Sequence, residues 1–181
     1  MIIELGNGKS INFRQLQAAD AEALFNYFQN LSSESRSRFG PHAFDRDPVF
    51  TICNNPTPGL KRYISIDVSD ECFVAYMLIQ YGMIEGDAIR YASRNHFFDV
   101  ATTVTFAPSV ADDWQSRGLG TQLNNYIEKE LIKTGIKTIV LWGGVQATNE
   151  KAIHFYKKNG YVYIDSFYYD GNNNYDMIKN L

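Results

Sequence analysis

Cysteine is scarce in this chain, with two residues in 181, Cys53 and Cys72. Two lone thiols with no ligand spacing around them exclude a disulfide framework and a zinc ribbon or finger, and they suit a reducing compartment. Long apolar runs are missing as well. None approaches the roughly 18–20 residues of a membrane span, and no charged-then-apolar segment opens the chain as a secretory signal would. Basic residues are not in excess: 17 Lys and Arg stand against 20 Asp and Glu, a net charge of −3 and a pI near 5.6. That balance disfavours a nucleic-acid groove. No cluster of metal ligands stands out. Disorder is disfavoured because 45% of the residues are hydrophobic and 20% charged. The expectation is one soluble, cytoplasmic domain over residues 1–181, with no metal, membrane or nucleic-acid partner.

What the chain does have is aromatic weight, 12 Phe and 12 Tyr, enough for a thick core or a tyrosine-lined cleft. Gly6-Asn7-Gly8 marks a turn between two short extended pieces, residues 2–5 and 10–16. Asp20 is a candidate N-cap for a helix whose Leu24, Phe25, Phe28 and Leu31 share one face. Residues 32–62 read mostly as loop, because Pro41, Pro48, Pro56, Pro58 and Gly59 punctuate them. A short helix at Ser32–Phe39 is capped by serine. Arg36, Arg38, His42 and Phe44 in this region are candidates for an acidic or sugar-like ligand, or simply a solvated charged loop. Tyr63–Val68 alternates as a half-buried strand, and Cys72–Ile84 is a more continuous one, with Asp70-Glu71 as the turn between them. Residues 85–98 form an excursion before a strand over Asp99–Val110, where Pro108 argues for a bulge or a splayed edge.

Beyond that strand lies Gln115-Ser116-Arg117-Gly118-Leu119-Gly120-Thr121, followed by a helix with Leu119, Leu123, Tyr126, Ile127 and Leu131 on one stripe and Glu128, Lys129 and Lys133 outside. A strand turning through glycines into a helix N-terminus makes an anion site from free N–H groups and the helix dipole. A Walker A loop is excluded, since Thr121-Gln122 stands where lysine and serine are needed. A dinucleotide fingerprint lacks its third glycine, at Leu123, and its later acid. The pattern Gln/Arg-x-x-Gly-x-Gly/Ala matches at every fixed position. Downstream, Ile136–Val145 reads as a buried parallel strand interrupted by Gly143-Gly144. Thr148 or Asn149 then caps a helix carrying Ala152, Ile153, Phe155 and Tyr156. Two aromatic-rich strands around Asp170-Gly171-Asn172-Asn173-Asn174 close the chain as a hairpin.

The Gln115–Gly120 block, followed at this spacing by Asn149-Glu150-Lys151-Ala152-Ile153-His154-Phe155-Tyr156-Lys157-Lys158-Asn159-Gly160-Tyr161, resembles the GNAT superfamily of acyl-CoA-dependent N-acetyltransferases. The resemblance covers the two motif regions, about 104–134 and 137–160, and no motif in the N-terminal third. It implies an α/β fold: a GNAT-like mixed, mostly antiparallel six- or seven-stranded sheet splayed between strands 4 and 5 and flanked by helices. It implies acetyl-CoA (coenzyme A) as cofactor. The pyrophosphate would lie on Gln115, Ser116, Arg117, Gly118, Leu119, Gly120 and Thr121. The pantetheine arm would run along Ser109 and Val110 and meet the Asn149 amide, with Tyr156 as proton donor to the departing sulfur. Thr105 stands near the position where several members carry a glutamate base, and threonine cannot do that work. Asp99 is the nearest upstream carboxylate. The last strands can carry homodimer contacts in such proteins.

The implied chemistry is attack of a primary amine on a thioester. The amine must first lose its proton, and the carbonyl oxygen that gains charge needs an N–H donor, such as that of Val110. With no Cys/His or Ser/His/Asp constellation, direct transfer without an acyl-enzyme is expected. Acceptors would be a small molecule, an amino sugar, or a protein or peptide amine. The alternative is a catalytically silent acyl-CoA-binding or sensing module, kept open by Thr105 and Pro108.

Overall fold

Among the described residues, alternating apolar stretches and turn signals become nine strands and six α-helices. A computed structural model of the protein describes residues 1–5 and 8–181, so the Gly6-Asn7 part of the predicted first turn lies outside the described residues. In chain order the elements are β1 (Ile2–Glu4), β2 (Ser10–Gln15), α1 (Ala21–Asn30), α2 (Ser33–Ser37), α3 (Arg46–Asn54), β3 (Leu60–Asp67), β4 (Phe73–Tyr81), α4 (Glu85–Ala92), β5 (Thr103–Val110), α5 (Leu119–Lys133), β6 (Thr138–Leu141), β7 (Val145–Gln146), α6 (Glu150–Lys158), β8 (Val162–Tyr169) and β9 (Asn172–Asn180). The chain divides into two compact units, Met1–Leu78 with Pro108–Gly120, and Ile79–Ala107 with Thr121–Leu181. The strands pair as a largely antiparallel open sheet in a mixed α/β fold, with β5–β6 as a parallel pair.

In the first unit the strand order is β1-β2-β3-β4. The β3–β4 turn closes where Asp67 N–H donates to the Cys72 carbonyl, with Glu71 in the left-handed region at φ 57°. Leu24, Phe28 and Leu31 of the α1 face are buried, while Phe25 is only half-buried. Full burial of each such side chain contributes about 1.5–3 kcal/mol. Asp20 does not cap α1 with its side chain. It sits in a 3-10 turn, where its carboxylate accepts from Gln17 N–H and from both terminal nitrogens of Arg14. The predicted serine cap is present: Ser32 Oγ accepts from Ser35 N–H ahead of α2. Helix α3 was not foreseen. Pro48 falls in its first turn, where a missing N–H costs nothing, so this proline marks a helix start rather than a break.

In the second unit, β5 pairs in parallel with β6 from Thr103↔Thr138 to Phe106↔Leu141, and β9 lies antiparallel on the other side of β6. Beyond that register β5 continues through Pro108 to Val110. With β1 and β2 counted separately, the parallel neighbours are the fifth and sixth strands, and two very short strands, β1 and β7, raise the expected six or seven to nine. The 85–98 excursion contains a helix, α4, and a 3-10 turn follows at Val100–Thr102. Helix α5 buries Leu119, Leu123, Ile127 and Leu131 and ends as the sequence predicts: Gly135 takes φ 83° and Ile136 N–H returns to the Leu131 carbonyl. Glu128, expected to face outward, accepts from Lys179 and from Asn124 instead. The terminal hairpin turns at Asp170 and Gly171, both at positive φ, with Tyr169 opposite Asn172; Asn172–Asn174 belong to β9 rather than to the turn.

Candidate functional site

The first unit holds the loop that joins β5 to α5. Ser109 lies on the last turn-ward stretch of β5, and its hydroxyl shares a 2.9 Å hydrogen bond with the Tyr27 phenol of α1. Burial holds that phenol well above its ordinary pKa, so it stays protonated. The Val110 carbonyl accepts from Gln115 Nε2 at 3.1 Å, and the same nitrogen reaches Ser35 Oγ at 3.2 Å. Gln115 is therefore a brace between β5 and α2, with its amide N–H groups engaged inside the protein. Asp112 completes the brace. Its carboxylate accepts from Ser32 N–H, Ser32 Oγ and Ser35 Oγ at 2.6–2.8 Å. Partial desolvation raises the Asp112 carboxyl, but these hydrogen bonds outweigh it and hold it below the usual carboxylate range.

Past this brace the backbone opens. Ser116 and Gly118 take left-handed φ of 59° and 87° and Gly120 does not, because it already lies in the first turn of α5. Of the two glycines, only Gly118 uses the left-handed freedom that glycine allows. A Cβ at Gly118 would meet nothing within 4 Å, so the space beside the loop is open. Leu119 is buried and can offer a ligand only its backbone N–H. Arg117 is exposed and makes no ion pair among the described residues. N–H groups of the first helical turn, an exposed guanidinium and open space fit a phosphate-bearing ligand.

Thr121, half-buried on α5, begins the stretch of that helix assigned to the second unit. There Asn149 caps α6, with Oδ1 accepting from Ala152 N–H at 3.1 Å. Both readings of Asn149 remain compatible with this, since the cap uses the oxygen and leaves the amide nitrogen. Tyr156 is buried on α6 against the rings of Phe155 and Tyr161, and burial pushes its phenol well above the ordinary value. The phenol makes no hydrogen bond among the described residues. It is protonated at neutral pH and, with its pKa raised, a weaker acid than a free tyrosine. Thr105 is fully buried and donates to the Gly82 carbonyl at 3.0 Å. The Asp99 carboxylate is used to cap the 3-10 turn, accepting from Ala101 N–H and Thr102 Oγ1. Neither supplies a free base. Gly143 and Gly144, which interrupt the predicted strand, serve the fold: both have positive φ, Gly143 N–H donates to Asp87, and a Cβ on Gly144 would lie 2.7 Å from the Tyr175 carbonyl oxygen.

Sequence reasoning missed Tyr27, Asp112 and Ser35, whose partners stand about 80 residues away in the chain. No local period signals such pairs. It also missed an ion network in the second unit. Arg90 of α4 bonds Asp87 and Asp176, and Arg94 bonds Asp165 and Asp176. The Asp87–Arg90 spacing of one helical turn was a usable signal.

The model of the Acetyltransferase (GNAT) family matches residues 29–161. No curated protein sequence matches the chain. Among solved structures, the GNAT domain of S. lividans PAT is similar at 20% identity, covering 100% of this chain and 96% of its own, with a TM-score of 0.75. The ribosomal-protein-S5-alanine acetyltransferase of Vibrio fischeri is 12% identical, covering 99% and 96%, with a TM-score of 0.73. AAC(6')-Ib, solved in complex with paromomycin and acetyl-CoA, is 16% identical, covering 94% and 93%, with a TM-score of 0.72.

Proposed function

The chain belongs to the acetyltransferase (GNAT) family, and from that premise we propose that it moves an acetyl group from acetyl-CoA directly to a primary amine of a small molecule, an amino sugar or a peptide. The proposal takes residues 1–181 as a single GNAT-like domain acting in the cytoplasm, with a homodimer among the assemblies to be tested. The observation that carries it is the β5–α5 loop: Gly118 at φ 87°, the open space beside it and the first free N–H groups of α5. Similar folds support the choice of donor, since AAC(6')-Ib was solved with acetyl-CoA.

Within this reading the N–H groups of Gly118, Leu119, Gly120 and Thr121 bind the pyrophosphate, and Arg117 adds charge. Ser116 shapes the turn at positive φ, and Gln115 holds the loop against β5 through the Val110 carbonyl. Ser109 and Val110 supply the backbone along which the pantetheine arm lies, and the Asn149 amide nitrogen holds its amide. A thioester supplies an acyl carbon open to a neutral amine. Tyr156, kept protonated by burial, gives its proton to the departing sulfur. A dipole contribution of roughly 0.3–2 kcal/mol per charge leaves most of the affinity to the hydrogen bonds themselves.

Calorimetric titration with acetyl-CoA, beside desulfo-CoA and NAD, tests the donor. Micromolar binding of the CoA compounds alone supports it, and preference for NAD would sink it. Tyr156→Phe should then lower turnover of an amine acceptor at least tenfold while acetyl-CoA affinity is unchanged. A second reading, a silent acyl-CoA-binding module, is favoured by Thr105, a buried hydroxyl bonded to the Gly82 carbonyl near the position where several family members carry a glutamate base. That module would bind acetyl-CoA, release no thiol with any amine, and be indifferent to Tyr156→Phe.

A further inference from the structure

The arginines of this chain are mostly paired. Arg14, Arg38, Arg46, Arg90 and Arg94 each hold a carboxylate, although none of them is fully buried. Arg62 of β3 is buried, at 9% exposure, and makes no ion pair among the described residues. Its Nε is buried with no hydrogen-bond partner, and the rest of the guanidinium meets neutral oxygens, Thr57 Oγ1 at 3.4 Å and the Tyr76 hydroxyl. A guanidinium cannot shed its charge, and burying an uncompensated ion costs several kcal/mol. A fold that keeps such a group is set up for an anion that arrives from outside.

The surroundings within the first unit agree. The charge of Arg62 is felt by Tyr76, His42 and Cys53, and among the described residues no ion pair answers it. Tyr76 and His42 join through Tyr76 Oη and His42 Nε2 at 3.3 Å, and the ring of the half-buried Phe44 lies against His42. His42 Nδ1 is occupied by the Ala43 carbonyl at 2.9 Å. Burial holds the imidazole below its ordinary pKa, so it adds no second charge at neutral pH. Of the two other basic candidates of this region, Arg38 is tied to Glu34, and Arg36 lies on the short helix α2 without an ion pair among the described residues. One fixed cation, neutral hydrogen-bonding groups and aromatic walls together recognise an anionic oxygen group attached to an apolar body.

We propose that Arg62, with Tyr76 and Thr57 beside it, is an anion subsite for the acceptor, which therefore carries a carboxylate or phosphate group in addition to its amine. This rests on the transferase reading above and narrows its substrate class from amines in general to anionic amines such as amino acids. An Arg fork suits the planar carboxylate in particular, because it donates two parallel N–H bonds to the carboxylate oxygens.

The test uses acetylated products as probes. The wild-type protein, Arg62→Met and Arg62→Lys are titrated calorimetrically with N-acetylphenylalanine, with its phosphonate analogue, and with N-acetyl-phenethylamine, which has the same ring and no anion. The expected result is at least tenfold tighter binding of an anionic probe than of the neutral one, abolished in Arg62→Met and reduced in Arg62→Lys. The stronger of the two anionic probes identifies the group. Equal binding of all three probes, binding of none, or selectivity that survives Arg62→Met would overturn the proposal. Misfolding is separated by the thermal midpoint, which should not fall in Arg62→Met, because an apolar replacement removes a lone buried charge. Should Met fail to fold, Arg62→Gln takes its place in the same titrations. Acetyl-CoA binding, measured on the same samples, is judged independently. Its absence with anion selectivity intact would remove the transferase reading and leave the anion subsite standing.

Discussion

At Gly118 the backbone torsion, and not crowding, is what calls for glycine. The φ of 87° lies where a side chain costs roughly 1–2 kcal/mol, while the position of a Cβ is open. Gly118→Ala should accordingly lower stability by about 1 kcal/mol, visible as a lower urea midpoint. A wild-type midpoint would show that the loop reaches its geometry without the left-handed residue. Gly120 was legible as part of the same pattern, but it is helical, and its alanine variant carries no such torsional penalty. Ser116 shows the limit of the pattern, since nothing in its neighbours announces a serine at φ 59°. Asn149 was legible as a cap because its signal is local, and Asn149→Ala should cost about 0.5–2 kcal/mol of stability on that ground alone. Gln115 was legible as a motif position and not as a brace, because Ser35 and Val110 reach it through the fold.

Elements show the same division between local and distant causes. Helices α1, α5 and α6, the β3–β4 hairpin and the terminal Asp170-Gly171 turn follow from period, caps and turn residues, and the sequence predicts each near its place. Helix α3 was hidden by its own Pro48, whose meaning depends on whether it opens a helix or interrupts one. Helix α4 was hidden for another reason: its attachment is ionic and long-range, through Arg90 and Arg94 to Asp176 on β9. The side chains of Asp87 and Asp176 are both about 1% exposed, and Arg90 is the cation between them. Removing it leaves buried Asp87 without a cation and leaves Asp176 to Arg94 alone. Arg90→Ala should therefore destabilise the protein by roughly 3–5 kcal/mol, well above an ordinary surface substitution. Urea unfolding followed by circular dichroism would read this. A loss below about 1 kcal/mol would mean that water reaches the network and that α4 is held by Tyr91 packing on Val140 and Ile178 instead.

For the molecule as a whole, these environments combine into a stability profile with pH. Asp20, Asp67 and Asp112 are each desolvated yet hydrogen-bonded strongly enough to lie below the ordinary carboxylate range. Their contributions are present above the unfolded value of about 3.9 and are lost as pH falls through the lower folded values. Asp87 opposes them. Burial raises it, so its folded form favours the proton and stability is gained as pH falls through its folded value. Nearer neutrality His42 matters, its imidazole lowered by burial and by the charge of Arg62 despite its bond to Ala43. The unfolded chain then takes up a proton more readily than the folded one. His42 stability is complete above the unfolded value of about 6.5 and falls as pH drops from there toward the folded value. Urea unfolding at about pH 7 and about pH 5.5 brackets the start of that window. The wild-type protein should lose stability between the two, and His42→Gln, which keeps a polar group near Tyr76 without a titrating ring, should lose less. Equal losses in both proteins would assign the pH dependence to other groups and leave the imidazole as wet in the folded chain as in the unfolded one.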